Sequence, residues 1–144
     1  IGARAPVLRG RLRLNLTLGL MRRPADETLR GCCVDYGLGP LLSRCGGLDE
    51  RIGEGGHDLS TGERARLLLV RAALMRPRLL LVDADDPALD PLAWRLLLGI
   101  IERSQAAALI ATHDPGRAAT LTKTIRLRPA PLPANVTRLH SASA

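Results

Sequence analysis

Asp58-Leu59-Ser60-Thr61-Gly62-Glu63-Arg64 and, one helix further on, Leu79-Leu80-Leu81-Val82-Asp83 are the stretches whose reading decides the fold. In the first, Ser60 followed three residues later by Glu63 forms a capping box, which opens a helix predicted over 60–75. Ala65, Leu68, Leu69 and Ala72 give that helix an apolar face at helical spacing, and Pro77 ends it. In the second, four apolar residues without alternation predict a strand buried on both faces, closed by Asp83.

Downstream the alternation continues. Pro91 suits a first helical position, so a helix is expected over 91–103, then a second buried strand over 107–111 ending at Thr112-His113. A short helix over 116–121 and a strand over 124–127 complete a helix–strand succession, which is the pattern of an α/β fold with a parallel sheet. Upstream, 1–20 reads as a loop leading into a short helix, and 26–42 as one or two short helices punctuated by Gly31, Gly37, Gly39 and Pro40. Gly46-Gly47 and 53–56 predict irregular backbone, and no internal repeat is present. Pro, Ala, Ser and Thr dominate 128–144, predicting a disordered tail.

The 144 residues suit one domain or a large part of one, and 46% are apolar. Aromatics amount to 1%, with Trp94, Tyr36 and no Phe, so aliphatic residues must pack the core. The net charge of +7 is carried by arginines, Lys123 being the single lysine. These arginines are dispersed and stacking residues are scarce, so no nucleic acid partner is expected. Cys32, Cys33 and Cys45 lack CxxC spacing, which predicts buried free thiols rather than disulfides or a zinc site. No apolar run is long enough to span a bilayer, since Arg71, Arg76 and Arg78 interrupt the longest. The chain opens on Ile1 without a signal peptide, and reads as a segment of something longer.

In open parallel sheets ligands bind at the carboxyl ends of strands. Asp83 and His113 both follow predicted strands, so both are expected at one sheet edge. A carboxylate there can hold Mg²⁺, and an imidazole can hydrogen-bond a phosphate. Ser60, Thr61 and Gly62 place a hydroxyl and free amides at a helix N-terminus, which favours an anion.

Taken together the segments resemble an ABC-type ATP-binding cassette. Leu59-Ser60-Thr61-Gly62-Glu63 is similar to its signature, 79–83 to its Walker B strand, Pro87-Ala88-Leu89-Asp90 to its D-loop, and Ala111-Thr112-His113-Asp114 to its H-loop. Ile52-Gly53-Glu54-Gly55-Gly56 and Pro6-Val7-Leu8-Arg9-Gly10 with Asn15-Leu16 resemble segments of the exporter-like subgroup. The likeness runs over 3–127. It implies a partial P-loop NTPase-type sheet flanked by helices, with 1–75 as the helical and signature region and 76–127 carrying Walker B to H-loop.

The resemblance further implies ATP and Mg²⁺ as cofactors, a second nucleotide-binding domain and transmembrane domains as partners, and a peripheral place on the cytoplasmic side of the plasma membrane. In that frame Ser60, Thr61, Gly62 and Glu63 clasp ATP held by the partner cassette, Asp83 supports Mg²⁺, His113 is the switch histidine, and Asp90 crosses the dimer interface. Three departures stand out. No GxxGxGK[ST] loop occurs in these residues, the Q-loop glutamine position falls near Arg4, and Ala84 occupies the position of the catalytic glutamate. Asp85 and Asp86 follow, one register step further on.

Overall fold

The capping box forms as the sequence predicts: Glu63 N donates to Ser60 Oγ at 3.1 Å, and Ser60 N donates to the Glu63 carboxylate at 2.9 Å. It starts the longest helix of a computed structural model that describes residues 1–2 and 5–127. These fall into two compact units, Ile1–Asp114 and the residues from Pro115 on.

In the first unit β1 (Gly10–Arg11) runs into α1 (Leu12–Leu16), followed by α2 (Asp26–Asp35) and α3 (Gly39–Leu42). The expected irregular stretch holds two single turns of 3-10 helix, Gly47–Asp49 and Glu54–Gly56, around β2 (Arg51–Ile52). β1 and β2 pair antiparallel, Gly10 opposite Ile52. Then come α4 (Thr61–Met75), β3 (Leu79–Asp83), α5 (Pro91–Ser104) and β4 (Ala107–Ala111). β3 and β4 pair parallel in register, Leu79 opposite Ala107 and Asp83 opposite Ala111. Helices over a parallel strand pair give the predicted α/β class.

α4 packs against α1, α2 and α5. Its apolar face puts Leu67, Leu69 and Val70 fully inside, with Leu12, Leu16, Leu29 and Leu97 from the three helices around it. At its buried side Arg71 donates through Nε to Asn15 O, through Nη2 to Asn15 Oδ1 at 2.7 Å, and through Nη1 to Pro6 O at 2.5 Å. Asn15, fully buried, clamps the chain again: its Nδ2 donates to Leu8 O at 2.8 Å and its Oδ1 accepts from Leu8 N at 3.0 Å. Burial, aided by the nearby charge of Arg64, lowers the Arg71 guanidinium to about 10, so it remains a cation at neutral pH. Both long helices end on a left-handed non-glycine residue, Arg76 with φ 44° after α4 and Gln105 with φ 54° after α5.

Three expectations are corrected. The strands are not buried on both faces. Leu80 and Val82 point inward, whereas Leu79 is 56%, Leu81 60% and Leu109 66% exposed. The apolar runs reported what each face prefers, but among the described residues β3 is covered on one face only and β4 has no buried residue. Of the three cysteines, only Cys33 is buried, while Cys45 is exposed because it lies in the turn after α3. In the second unit α6 (Pro115–Ala119) forms, but no strand follows over 124–127. A strand needs a ladder partner, and among the described residues none pairs with that segment. The tail predicted over 128–144 lies outside the described residues.

Arg13 anchors an exposed ion cluster, donating to Asp26 at 2.6 Å and to Asp49 at 2.7 Å. The hydrogen bonds from Arg13 hold both carboxyls below their ordinary value of 3.8. A carboxyl lowered on folding stabilises above its unfolded value, and that contribution fades as pH falls through the folded one. Urea midpoints of the native chain and Arg13→Ala should therefore differ at neutral pH and converge in acid below 3.8. The two faces of the sheet and core are separable in the same assay. Leu67→Ala should cost about 2–5 kcal/mol, while Leu81→Lys stays within about 0.5 kcal/mol and lowers self-association in light scattering.

Candidate functional site

The parallel register brings Asp83 and His113 to one edge. Asp83 is the last residue of β3, and its partner Ala111 is the last of β4, so Thr112 and His113 emerge beside it. The ladder runs one step further, with Ala84 N donating to Ala111 O at 2.8 Å. Ala84 is 1% exposed, so its methyl is packed away from that edge. Asp83 Oδ1 accepts from Asp85 N at 3.3 Å, and the Asp83 residue is otherwise exposed to solvent.

Asp85 turns toward the Thr112–Asp114 segment. Its Oδ1 accepts from His113 N at 2.8 Å and from Thr112 Oγ1 at 3.1 Å, and its Oδ2 accepts from His113 N at 3.0 Å. Thr112 Oγ1 accepts in turn from Asp114 N at 3.0 Å. The His113 ring lies with Nε2 3.6 Å from Asp85 Oδ2 and is 99% exposed. Its backbone is held and its imidazole is open.

At the start of α4 the first helical amides, those of Thr61 and Gly62, have no intrahelical acceptor by helix geometry. Ser60 Oγ accepts from Glu63 N and still has a hydroxyl proton to donate. A Cβ placed at Gly62 meets no atom within 4 Å, so packing within the chain does not call for glycine there. Glu63 is committed elsewhere: besides the capping box it accepts from Arg44 Nη2 at 2.8 and 3.0 Å. Arg64 braces the turn before the helix, donating to Gly55 O at 2.7 Å and Ala5 O at 2.6 Å.

Asp90 caps α5, accepting from Ala93 N at 2.7 Å, and accepts from Arg66 Nη2 at 2.8 Å. The Ala93 amide first, and the Arg66 charge after it, hold the Asp90 carboxyl below the usual range. This pair joins the helix that carries the signature-like segment to the D-loop-like one. Neither Arg66 nor Asp85 was singled out as a site residue from sequence. The signal for Arg66 was a charge set among apolar positions of an otherwise core-facing helix. For Asp85 it was a carboxylate two residues past a strand end. Arg4, near which the resemblance puts the Q-loop glutamine position, lies outside the described residues.

Among the described residues these groups stand at an open edge rather than around a nucleotide-sized cavity. A cavity of about 90 Å³ lies between Thr61, Arg64, Asp86, Ala88 and Leu89, smaller than the few hundred Å³ of typical ligand pockets. A larger hollow of about 480 Å³ is lined by Gly10, Arg11, Arg13, Leu14 and Arg23, away from every predicted site residue. Among the described residues no cluster of His, Cys, Asp and Glu could hold a metal ion by itself, and no helix is long and apolar enough to cross a membrane.

A helix-flanked parallel strand pair with polar groups at its carboxyl edge defines an α/β ligand-binding architecture. Comparison with known proteins carries this further. No family model matches the chain. It is 38% identical over 87 residues to Antigen peptide transporter 1 of Rattus norvegicus, covering 59% of this chain and 12% of that protein. It is 36% identical over 102 residues to the lipoprotein-releasing system ATP-binding protein LolD 1 of Rhodospirillum rubrum, covering 64% and 45%. It is 39% identical over 117 residues to the aliphatic sulfonates import ATP-binding protein SsuB of Yersinia pestis, covering 78% and 39%. Its fold is similar to part of a bacterial Atm1-family ABC exporter solved with ATP bound, at a TM-score of 0.65 and 21% identity over 80% of this chain and 21% of that one. The chain spans less than half the length of these relatives. It is a portion of an ABC-type ATP-binding cassette.

Asp90 offers a direct test of how the site is held. Asp90→Ala removes both the cap and the partner of Arg66, and should cost about 1–2 kcal/mol for the cap plus the penalty of a stranded buried cation. Asp90→Asn keeps a capping oxygen and should cost less. Equal losses in chemical denaturation would show that the ion pair, not the cap, holds this junction.

Proposed function

We propose that the chain supplies the signature, Mg²⁺-supporting and switch-histidine elements of an ABC transporter nucleotide-binding domain, coupling ATP binding and hydrolysis at a cassette dimer interface to transmembrane transport. The observation that carries this reading is the parallel register, which sets Asp83 and His113 side by side at one sheet edge. The open amides at the start of α4 support it.

In this reading Asp83 holds Mg²⁺ directly or through water, and His113 hydrogen-bonds the γ-phosphate. Ser60 Oγ and the Thr61 and Gly62 amides receive the γ-phosphate of a nucleotide bound to the partner cassette's P-loop. Glu63 shapes that anion site from behind, through the cap, rather than touching phosphate. Asp90, bound to Arg66, sets the D-loop at the interface between cassettes. When bound, Mg²⁺ neutralises phosphate charge. The uncovered leucines 79, 81 and 109 are then covered by the rest of the cassette, since exposed apolar patches mark contact surfaces. The domain lies at the cytoplasmic face, beside the transporter's membrane domains.

Ala84 favours a second element of the reading. Its buried methyl offers no carboxylate to activate water, so this Walker B strand contributes binding and closure more than hydrolysis. Asp85 does not replace it, because both its oxygens already accept hydrogen bonds from the H-loop segment.

Two measurements test the proposal. Calorimetry on this chain with Mg-ATP should give millimolar or weaker affinity, since P-loop amides supply most phosphate contacts. A tight Mg²⁺-dependent complex would overturn the trans arrangement. In the complete transporter subunit, Ala84→Glu should raise hydrolysis by about 10²–10⁴, with a thermal melt confirming that the new carboxylate is accommodated. A folded variant without gain would remove the missing base as the explanation.

A further inference from the structure

We propose that Asp85 is a positioning residue, a latch that ties the Thr112–Asp114 loop to the end of β3 and so presents the His113 imidazole at the sheet edge. The proposal rests on the reading of His113 as a phosphate contact.

The geometry is specific to the carboxylate. One oxygen accepts from both the His113 amide and the Thr112 hydroxyl, and the other accepts from the same amide. The Thr112 hydroxyl, having donated to Asp85, accepts from the Asp114 amide, so three successive residues are tied through one side chain. Hydrogen bonds to an ionised acceptor are roughly twice as strong as neutral ones. The backbone of Asp85 is fixed from the other direction, its amide donating to Asp83 Oδ1. A chain of hydrogen bonds therefore runs from Asp83 through Asp85 to the loop carrying His113. The Asp85 side chain is 35% exposed and the His113 side chain 99% exposed; the short bonds from Asp85 go to the main chain and the Thr112 hydroxyl, while the ring keeps only the 3.6 Å approach of Nε2 to Asp85 Oδ2 and stays accessible to a ligand. An acid at position 85 thus serves the switch loop, whereas an acid at position 84 would serve water activation. Moving the carboxylate by one residue exchanges one task for the other.

The test uses amide hydrogen exchange in the full chain, read by NMR without nucleotide. Asp85→Ala and Asp85→Leu should speed exchange at His113 by about tenfold or more and shift its amide resonance. Asp85→Asn, which keeps one acceptor oxygen, should recover most of the protection. Exchange at Val82 and Leu69 and the melting temperature should stay at native values in all three. Unchanged exchange at His113 in Asp85→Ala would overturn the latch. Uniformly faster exchange, which marks a general structural role, would also overturn it, as would an Asn variant as loose as the Ala variant. Because no nucleotide is present, failure of the cassette reading leaves these rates intact as a measure of the latch, and failure of the latch leaves nucleotide binding untouched.

Discussion

A guanidinium taken out of water is the constraint around which the first unit is organised. Arg71 is 7% exposed, and in its place the sequence supplies oxygen acceptors rather than a carboxylate: the carbonyls of Pro6 and Asn15 and the side chain of Asn15. Such a cation is tolerable only when its donors are met. That demand fixes two segments far apart in sequence against α4 at once. Asn15 then passes the restraint on, closing Leu8 with a pair of hydrogen bonds. The N-terminal strand and helix are thereby placed on α4 by polar contacts buried within a leucine core. Non-directional packing would hold them there but would not select one register.

The same helix reaches the other side of the molecule through Arg66. Its guanidinium is nearly buried and meets Asp90, the residue that starts α5. One helix thus touches both the entry segment and the connection between the two parallel strands, using arginines five positions apart. The strand edge that carries Asp83 and His113 is set by the register of β3 with β4, and the caps at Ser60 and Asp90 settle where each long helix begins. Positions in the site follow from these few contacts.

Much of this was legible in the sequence because it rests on local rules. The capping box at Ser60 and Glu63, the proline at 91, and the apolar runs at 79 and 107 each act within a few residues, and each formed. What stayed hidden depends on partners distant in sequence. An apolar strand states a preference for burial on both faces, yet Leu79 and Leu81 lie open because covering them is a property of neighbours, not of the run itself. The segment 124–127 has strand-like residues and no ladder to join among the described residues. The role of Asp85 was illegible for the same reason, since its acceptors' donors lie 27 and 28 positions away. In the candidate site the residue types were readable and their intramolecular commitments, Glu63 to Arg44 and Asp90 to Arg66, were not.

The left-handed residues that end α4 and α5 bear on how the site can move. Among the described residues Arg76 and Gln105 are the only non-glycines with positive φ, and both lie at helix-to-strand joints. The left-handed conformation, which is uncommon for non-glycine residues, is therefore confined to the joints between helix and strand. The segments at 83–90 and 112–114 hold no positive-φ residue; hydrogen bonds and the burial of Ala84, Ala88 and Leu89 keep the first in place, and the bonds to Asp85 tie the second to it. Any movement of the 112–114 segment must therefore find another acceptor for the His113 amide.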